Sequence, residues 1–355
     1  MDIQRPILVL LSFLLLTAGA AAQAPPGAEK RPPASKPAAK AKAPAPAKAP
    51  AVPAATPTPA ATPAPPTVTV APAPAPDDPN VDLVFGAYQR GQYKTAFDLA
   101  TKRAENGDAK AMTMLGELYA NALGVKRDYA KAADWYKRAA DAGDREAMFA
   151  LAMLRLSGRG GPANREDAVK LLASSAKLGN PKAAYNLALL YLDGQTLPQD
   201  LRRAAELLRL AADAGNPEAQ YALATFYKEG TGVDKDIDKA VRLLQAASLA
   251  DNVDAEVEYA IALYNGTGTP KNQPAAVALL RKAARQNSPI AQNRLARVLM
   301  SGQGAPMDKI EGLKWHIIAK TAGRGDPMLD EALTDLSPED RAKAEAAARK
   351  WLGTK

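Results

Sequence analysis

The stretch "GNPKAAYNLALLYLDGQTLPQD" from Gly179 is followed 36 residues later by "GNPEAQYALATFYKEGTGVDKD" from Gly215, and the agreement is not confined to that pair. Blocks of 36 residues beginning at Ala109, Arg145, Pro181, Pro217, Val253 and Pro289 align in phase. A fixed period of that length is the mark of a stacked repeat. One column holds Ala111, Ala147, Ala183, Ala219, Ala255 and Ala291, and five residues on the small column runs Gly116, Ala152, Ala188, Ala224, Ala260 and Ala296. An apolar residue precedes each of the latter: Leu115, Leu151, Leu187, Leu223, Tyr259 and Leu295. Such spacing places one buried stripe on a helix.

Each block reads as two helices. A loop glycine recurs at Gly158, Gly194, Gly230, Gly266 and Gly302, after which Asp128, Asn164, Asp200, Asp236, Asn272 and Asp308 supply the N-cap of a second helix. That second helix carries Ala132, Ala168, Ala204, Ala240 and Ala276, with Trp135, Leu171, Leu207, Leu243, Leu279 and Trp315 three residues on. Blocks close on pairs such as Gly143-Asp144, Gly179-Asn180 and Gly215-Asn216, with Asp251-Asn252, Asn287-Ser288 and Gly325-Asp326 expected in the same role. The first residue of such a pair ends a helix in the left-handed conformation and the second caps the next one. Pro181, Pro217, Pro289 and Pro327 follow where a first-turn proline loses no hydrogen bond.

A pair of short helices cannot bury its apolar face alone, so the expected fold is all-α, an α/α superhelical solenoid of about six helix-turn-helix repeats with capping helices at both ends. The expected boundaries are 81–108 for an N-terminal capping pair, 109–326 for the repeats and 327–355 for C-terminal capping helices, with Ser337 and Pro338 opening the last of these.

The pattern Ala-x-x-x-Leu-Gly/Ala-x-x-Tyr-x-x-Gly-x-Gly-x-x-x-Asp-x-x-x-Ala-x-x-Trp/Leu resembles that of the Sel-one-like repeat family, a relative of the tetratricopeptide repeats. "AAYNLALLYLDG" and "AQYALATFYKEGTG" are its clearest copies here. The resemblance implies a superhelix that serves as an adaptor for other proteins and brings no catalytic residues or cofactors. Some secreted members brace each repeat with disulfides, which this chain, having no Cys, does not. Arg155, Leu263 and Leu299 replace the tyrosine of Tyr119, Tyr191 and Tyr227, and Ala122 replaces the loop glycine, so those blocks are expected to pack less regularly.

Ahead of the repeats, "MDIQRPILVLLSFLLLTAGAAAQA" has one Arg, an apolar run from Ile7 to Leu16 and an Ala-x-Ala at Ala20 and Ala22. That is the order of a signal peptide over 1–22, an uncleaved anchor being the rival reading, and it predicts an exported, periplasmic protein of a bacterial envelope. Residues 23–80 hold 18 of the 29 prolines and no helical or strand period, the composition of a disordered Pro/Ala-rich linker. Between Glu29 and Lys48 it carries six Lys/Arg against one Glu, enough for weak contact with anionic envelope polymers or lipid.

Composition narrows the chemistry. With no Cys and one His, thiol chemistry is excluded, and a multi-histidine metal site with it. Of the net charge of +8, residues 81–355 carry +5, from 39 basic and 34 acidic residues, without a basic stripe, so nucleic acid is not an expected partner. His316 falls in the apolar column of Tyr136, Leu172, Leu208, Leu244 and Leu280, which favours packing over catalysis. "GRGGP" at Gly158 and "GTGTP" at Gly266 look like phosphate loops but follow no strand, and the turn between paired helices explains them. Carboxylates are too numerous for any acid/base pair to stand out.

The expected function is therefore non-enzymatic: an adaptor or scaffold binding a protein or peptide of the cell envelope through the concave face of the solenoid. An envelope hydrolase acting on peptidoglycan or a small molecule, and a structural spacer whose basic linker makes the contacts, are the alternatives. In tetratricopeptide-like stacks the first helices line the concave face, and their outward columns give Phe149, Met153, Leu156, Tyr185, Leu189, Leu192, Tyr221, Val257, Ile261 and Tyr264 as partner-binding candidates. Glu146, Lys182, Glu218, Thr225, Lys228 and Asp254 share those columns. A contiguous exposed apolar surface marks a partner site, unless tight winding buries these side chains between repeats.

Overall fold

A computed structural model describes residues 82–353, and the expected signal peptide and linker lie outside the described residues. Sixteen helices and no strands make up the regular structure among them. Helices α1 (Leu83–Gln89) and α2 (Tyr93–Glu105) stand at the front. Six pairs follow: α3 (Ala109–Asn121) with α4 (Tyr129–Asp141), α5 (Arg145–Ser157) with α6 (Arg165–Lys177), and α7 (Pro181–Asp193) with α8 (Leu201–Asp213). The series continues with α9 (Pro217–Glu229) and α10 (Ile237–Leu249), α11 (Val253–Asn265) and α12 (Gln273–Arg285), and α13 (Pro289–Ser301) and α14 (Lys309–Thr321). Helices α15 (Pro327–Thr334) and α16 (Pro338–Gly353) end it.

All twelve repeat helices are 13 residues long. Helices that short are marginal in water by themselves. Caps fix where they start: Asp128, Asp200 and Asp236 accept from Lys131, Arg203 and Lys239 backbone N–H at 3.0, 2.9 and 2.9 Å. Each such cap is worth about 1 kcal/mol. Packing does the rest, since each helix lies against the one before it and the one after it in sequence. The alanines of the small columns are buried to the last atom or nearly so, which lets paired helices approach closely.

The loop inside each pair closes by one repeated bond, from the N-cap N–H of the second helix to the carbonyl of the eleventh residue of the first. With Tyr119, Tyr191 and Tyr227 as acceptors it measures 3.1, 3.2 and 2.8 Å, and with Arg155, Leu263 and Leu299 it measures 3.0, 2.8 and 3.0 Å. The blocks without the tyrosine are thus closed as regularly as the others, because the bond uses backbone and not side chain. Ala122 likewise adopts the left-handed conformation of the glycines it replaces, at φ 60°. The second loop glycine has a separate reason. A Cβ on Gly160 would stand 2.2 Å from the carbonyl oxygen of Tyr129, and one on Gly232 would stand 2.3 Å from that of Leu201. Each loop therefore rests directly on the start of the preceding repeat's second helix.

At the far end the structure corrects one reading. Gly323, at φ 78°, is the left-handed residue that ends α14, whereas Gly325 has no positive φ and Asp326 caps α15 alone. The residues inserted there turn the chain so that α16 lies along α14. Trp351 meets Trp315 edge to face at 5.2 Å, and Ala344 and Ala348 are fully buried. His316 is packed as expected: wholly buried, its Nε2 lies 2.8 Å from Asp330 Oδ1, which also accepts from Lys320 at 2.7 Å.

Two variations on the repeat are physically coupled. Gly116 is the one glycine in its column, and Tyr136 replaces leucine in the column of the second helix that faces it. A Cβ on Gly116 would lie 2.5 Å from the Tyr136 ring, so the glycine makes room for the phenol, which donates to Glu117 at 3.0 Å. In the fourth column, Gln220 donates to the carbonyl of Ala212 at 3.2 Å and Gln292 to that of Ala284 at 3.1 Å, satisfying last-turn carbonyls of the previous repeat. Glu256 sits in that column fully buried, and a carboxylate has nothing to donate. Lys282 Nζ approaches it to 2.6 Å, yet neither oxygen has a well-directed hydrogen bond, and the same ammonium meets Asp251 at 2.5 Å.

Gly116→Ala should cost about 1 to 3 kcal/mol by overpacking, while Gly116→Ala with Tyr136→Leu restores the common pair and should recover most of that loss in urea denaturation. Additive effects of the two changes would show that the residues are not coupled. Glu256→Gln should raise the urea midpoint, gaining about 1 kcal/mol from a new amide-to-carbonyl bond, because Lys282 keeps Asp251 as partner. A lowered midpoint would mean that the buried ion pair is the stronger arrangement.

Candidate partner-binding face

The second, fifth, ninth and twelfth residues of the first helices α5, α7, α9, α11 and α13 are the columns expected to line the open face. Phe149, Met153, Leu156, Tyr185, Tyr221, Ile261 and Tyr264 are there half-buried, leaving part of each side chain to solvent. Three candidates are not on the surface. Leu189, Leu192 and Val257 are exposed by only 6, 7 and 3%. Val257 belongs to a core cluster that runs across α11, α12 and α13. At these positions winding closes the seam between repeats, and valine, shorter than the Tyr185 and Tyr221 of its own column, sinks into it.

The middle of this face is acidic. Burial, and then Glu218, push the Tyr185 phenol up to about 12. Tyr221 is raised more strongly, by burial and by the carboxylates of Asp254, Glu258 and Glu229. Asp254 is itself pushed up by burial and by its neighbour Glu258. Its side chain is still open to water, so protein walls it from several sides without covering it. Among the described residues Lys228 answers one of these charges directly, its Nζ lying 3.2 Å from Glu258 Oε2.

The sixth repeat changes the sign. Arg294 and Arg297 on α13 are both exposed. Arg297 Nε donates to Asp326 Oδ2 at 2.5 Å, and Asn293 donates to the same oxygen at 3.4 Å. Reading the sequence columns one block further would have placed Asn293 and Arg297 on this face. That Arg297 is tied down, and that Arg294 is not, depends on Asp326 and was not legible there. Among the described residues no group of three or more side chains could hold a metal ion, and no helix is long and apolar enough to cross a membrane.

A run of uniform helix pairs, each packed against the next, defines an α-solenoid repeat protein. The Sel1 repeat model matches six times, at residues 109–144, 145–180, 181–216, 217–252, 253–288 and 289–323, and the chain belongs to that family. Its repeats typically serve as protein-interaction scaffolds. Among solved structures the chain is similar to a Sel1 repeat protein from Oxalobacter formigenes, with 26% identity and a TM-score of 0.61 over 67% of this chain and 98% of that one. It is also similar to a protective antigen with an SLR fold present in uropathogenic Escherichia coli strains, with 25% identity and a TM-score of 0.53 over 76% of this chain and 67% of that one. No curated protein matches it.

The Arg297–Asp326 pair gives this face a measurable pH dependence. Burial of Asp326 would raise its pKa, but Arg297, Asn293 and the Met328 N–H together hold the carboxyl below its ordinary value. A carboxyl lowered in the folded state stabilises it fully above the unfolded pKa, about 3.9, and that contribution fades as pH falls through the folded value. Asp326→Asn keeps a capping oxygen and removes the charge. The variant should therefore be less stable than the parent at pH 7, and the two urea midpoints should converge as pH falls through the lowered folded value of Asp326. A gap that persists unchanged into acid would assign the loss to geometry and not to charge.

Proposed function

We propose that the chain is a non-enzymatic scaffold that binds a protein or peptide along its first-helix face. The observation that carries this is the run of half-buried Phe149, Met153, Leu156, Tyr185 and Tyr221 on helices that nothing in the described chain covers. Aromatic and apolar side chains at the centre of an open face are the anchors on which binding energy concentrates. The family's usual role supports the same reading. We place the partner in a bacterial envelope, on the strength of the N-terminal "ILVLLSFLLL" and the following Ala-x-Ala.

Co-purification from envelope extracts, with bound proteins identified by mass spectrometry, tests this. Met153→Glu and Tyr221→Glu each put a charge where an apolar contact is desolvated and should weaken capture by about 2 kcal/mol. Their melting midpoints should stay close to that of the parent. Leu189→Glu serves as the opposite control: being buried, it should melt the stack as Leu207→Glu does, by stranding an unpaired charge. Partners kept by both face variants but lost on deleting residues 23–80 would move the function to the basic linker.

A further inference from the structure

Between α11 and α13 the first-helix face opens into a recess of about 280 Å³. Ala260, Ile261, Leu280 and Val298 give it an apolar floor, and Tyr264 and Arg294 stand at its edge. An apolar cavity of about 150 Å³ takes a benzene ring, so this one has room for a whole leucine or phenylalanine side chain. The Tyr264 hydroxyl donates to Gln303 Oε1 at 3.1 Å, which fixes the ring at the rim.

The two arginines of the recess are not equivalent. Arg297 is held by Asp326 at 2.5 Å, so its charge is answered within the fold. Arg294 is exposed and, among the described residues, makes no ion pair, hydrogen bond or ring contact. A guanidinium offers a planar fork of donors that fits a carboxylate. Placed beside an apolar recess, it asks for two things from one ligand: a large apolar side chain and an adjacent acid. Towards the middle of the face Glu218, Asp254 and Glu258 would repel an acidic segment, so charge also decides where along the solenoid such a segment settles.

We infer that this recess receives an apolar side chain flanked by carboxylates, on an acidic segment of a protein partner. The inference rests on the first-helix face being the partner-binding face, and names the chemistry recognised at its C-terminal end.

The test uses fluorescence anisotropy with the full chain and three labelled nonapeptides, each a central phenylalanine flanked by glutamate, alanine or lysine within glycine-serine arms. At low salt the glutamate peptide should bind most tightly, at least tenfold above the lysine peptide, and glycine in place of the phenylalanine should abolish binding. Arg294→Glu, an exposed substitution that should leave the melting midpoint in place, should reverse the order of the three. Arg202→Glu, an exposed substitution on α8 and away from the first-helix face, should leave it intact. Equal binding of the acidic and basic peptides, a preference for lysine, or no binding of any peptide would overturn the inference. So would indifference to Arg294→Glu; and if Tyr221→Glu then removes the binding, the face reading survives and only the recess is lost.

Discussion

Everything in this molecule depends on how closely the two helices of a repeat approach each other. The small residue at the eighth position of the first helix and the large one facing it from the second form a matched pair, and alanine against leucine is the usual solution. Gly116 against Tyr136 is the same solution rescaled: the methyl is given up where the opposing side chain grows, because an added Cβ would stand 2.5 Å from the ring. A core packed as densely as a crystal allows no other way to vary one partner alone. The paired helices then present a common outer surface to the next repeat, and the stack can propagate with one geometry.

That geometry was legible in the sequence wherever a side chain enforces it. The alanine and leucine columns, the Asp and Asn caps and the first-turn prolines all recur because each performs a local task once per repeat. What was misread involves backbone or distance. Arg155, Leu263 and Leu299 looked like irregularities, yet the bond that closes their loops belongs to the main chain and measures 2.8 to 3.0 Å regardless. Leu189, Leu192 and Val257 looked exposed because a period of 36 residues fixes which side of a helix a residue occupies, but not how far consecutive helices are wound together. Gly325 looked like the final helix terminator, but the residues inserted before Asp326 hand that task to Gly323.

The open face inherits its character from the same repetition. Where the outward columns are not drawn into the seam they differ from block to block, and they do so by charge: carboxylates gather around Tyr221, and Arg294 and Arg297 stand exposed on α13. A uniform scaffold thus carries a graded surface. Exposed charges more than about 8 Å apart are largely screened at physiological salt, so a partner would read this gradient at close range, as a matter of register, more than as long-range attraction.

The fifth and sixth repeats each carry a polar side chain in a buried column, Glu256 and His316. Asp251, closing the fourth repeat, and Asn287, closing the fifth, take left-handed positions held elsewhere by glycine, at φ 61° and 69°. Glu256 stands where the neighbouring fourth and sixth repeats have Gln220 and Gln292, and His316 replaces a leucine. Each departure at a buried column needs an answer from nearby, Lys282 for Glu256 and Asp330 for His316. Sequences that obey the rules of their fold everywhere else tend to break them where something besides stability is at stake. Here one demand is visible at once, since the stack has to stop, and the α14–α16 contact stops it. The other lies between α11 and α13, where the same two repeats part to form an apolar recess with an unanswered arginine at its rim. Regular packing would have closed that seam as it closes over Leu189.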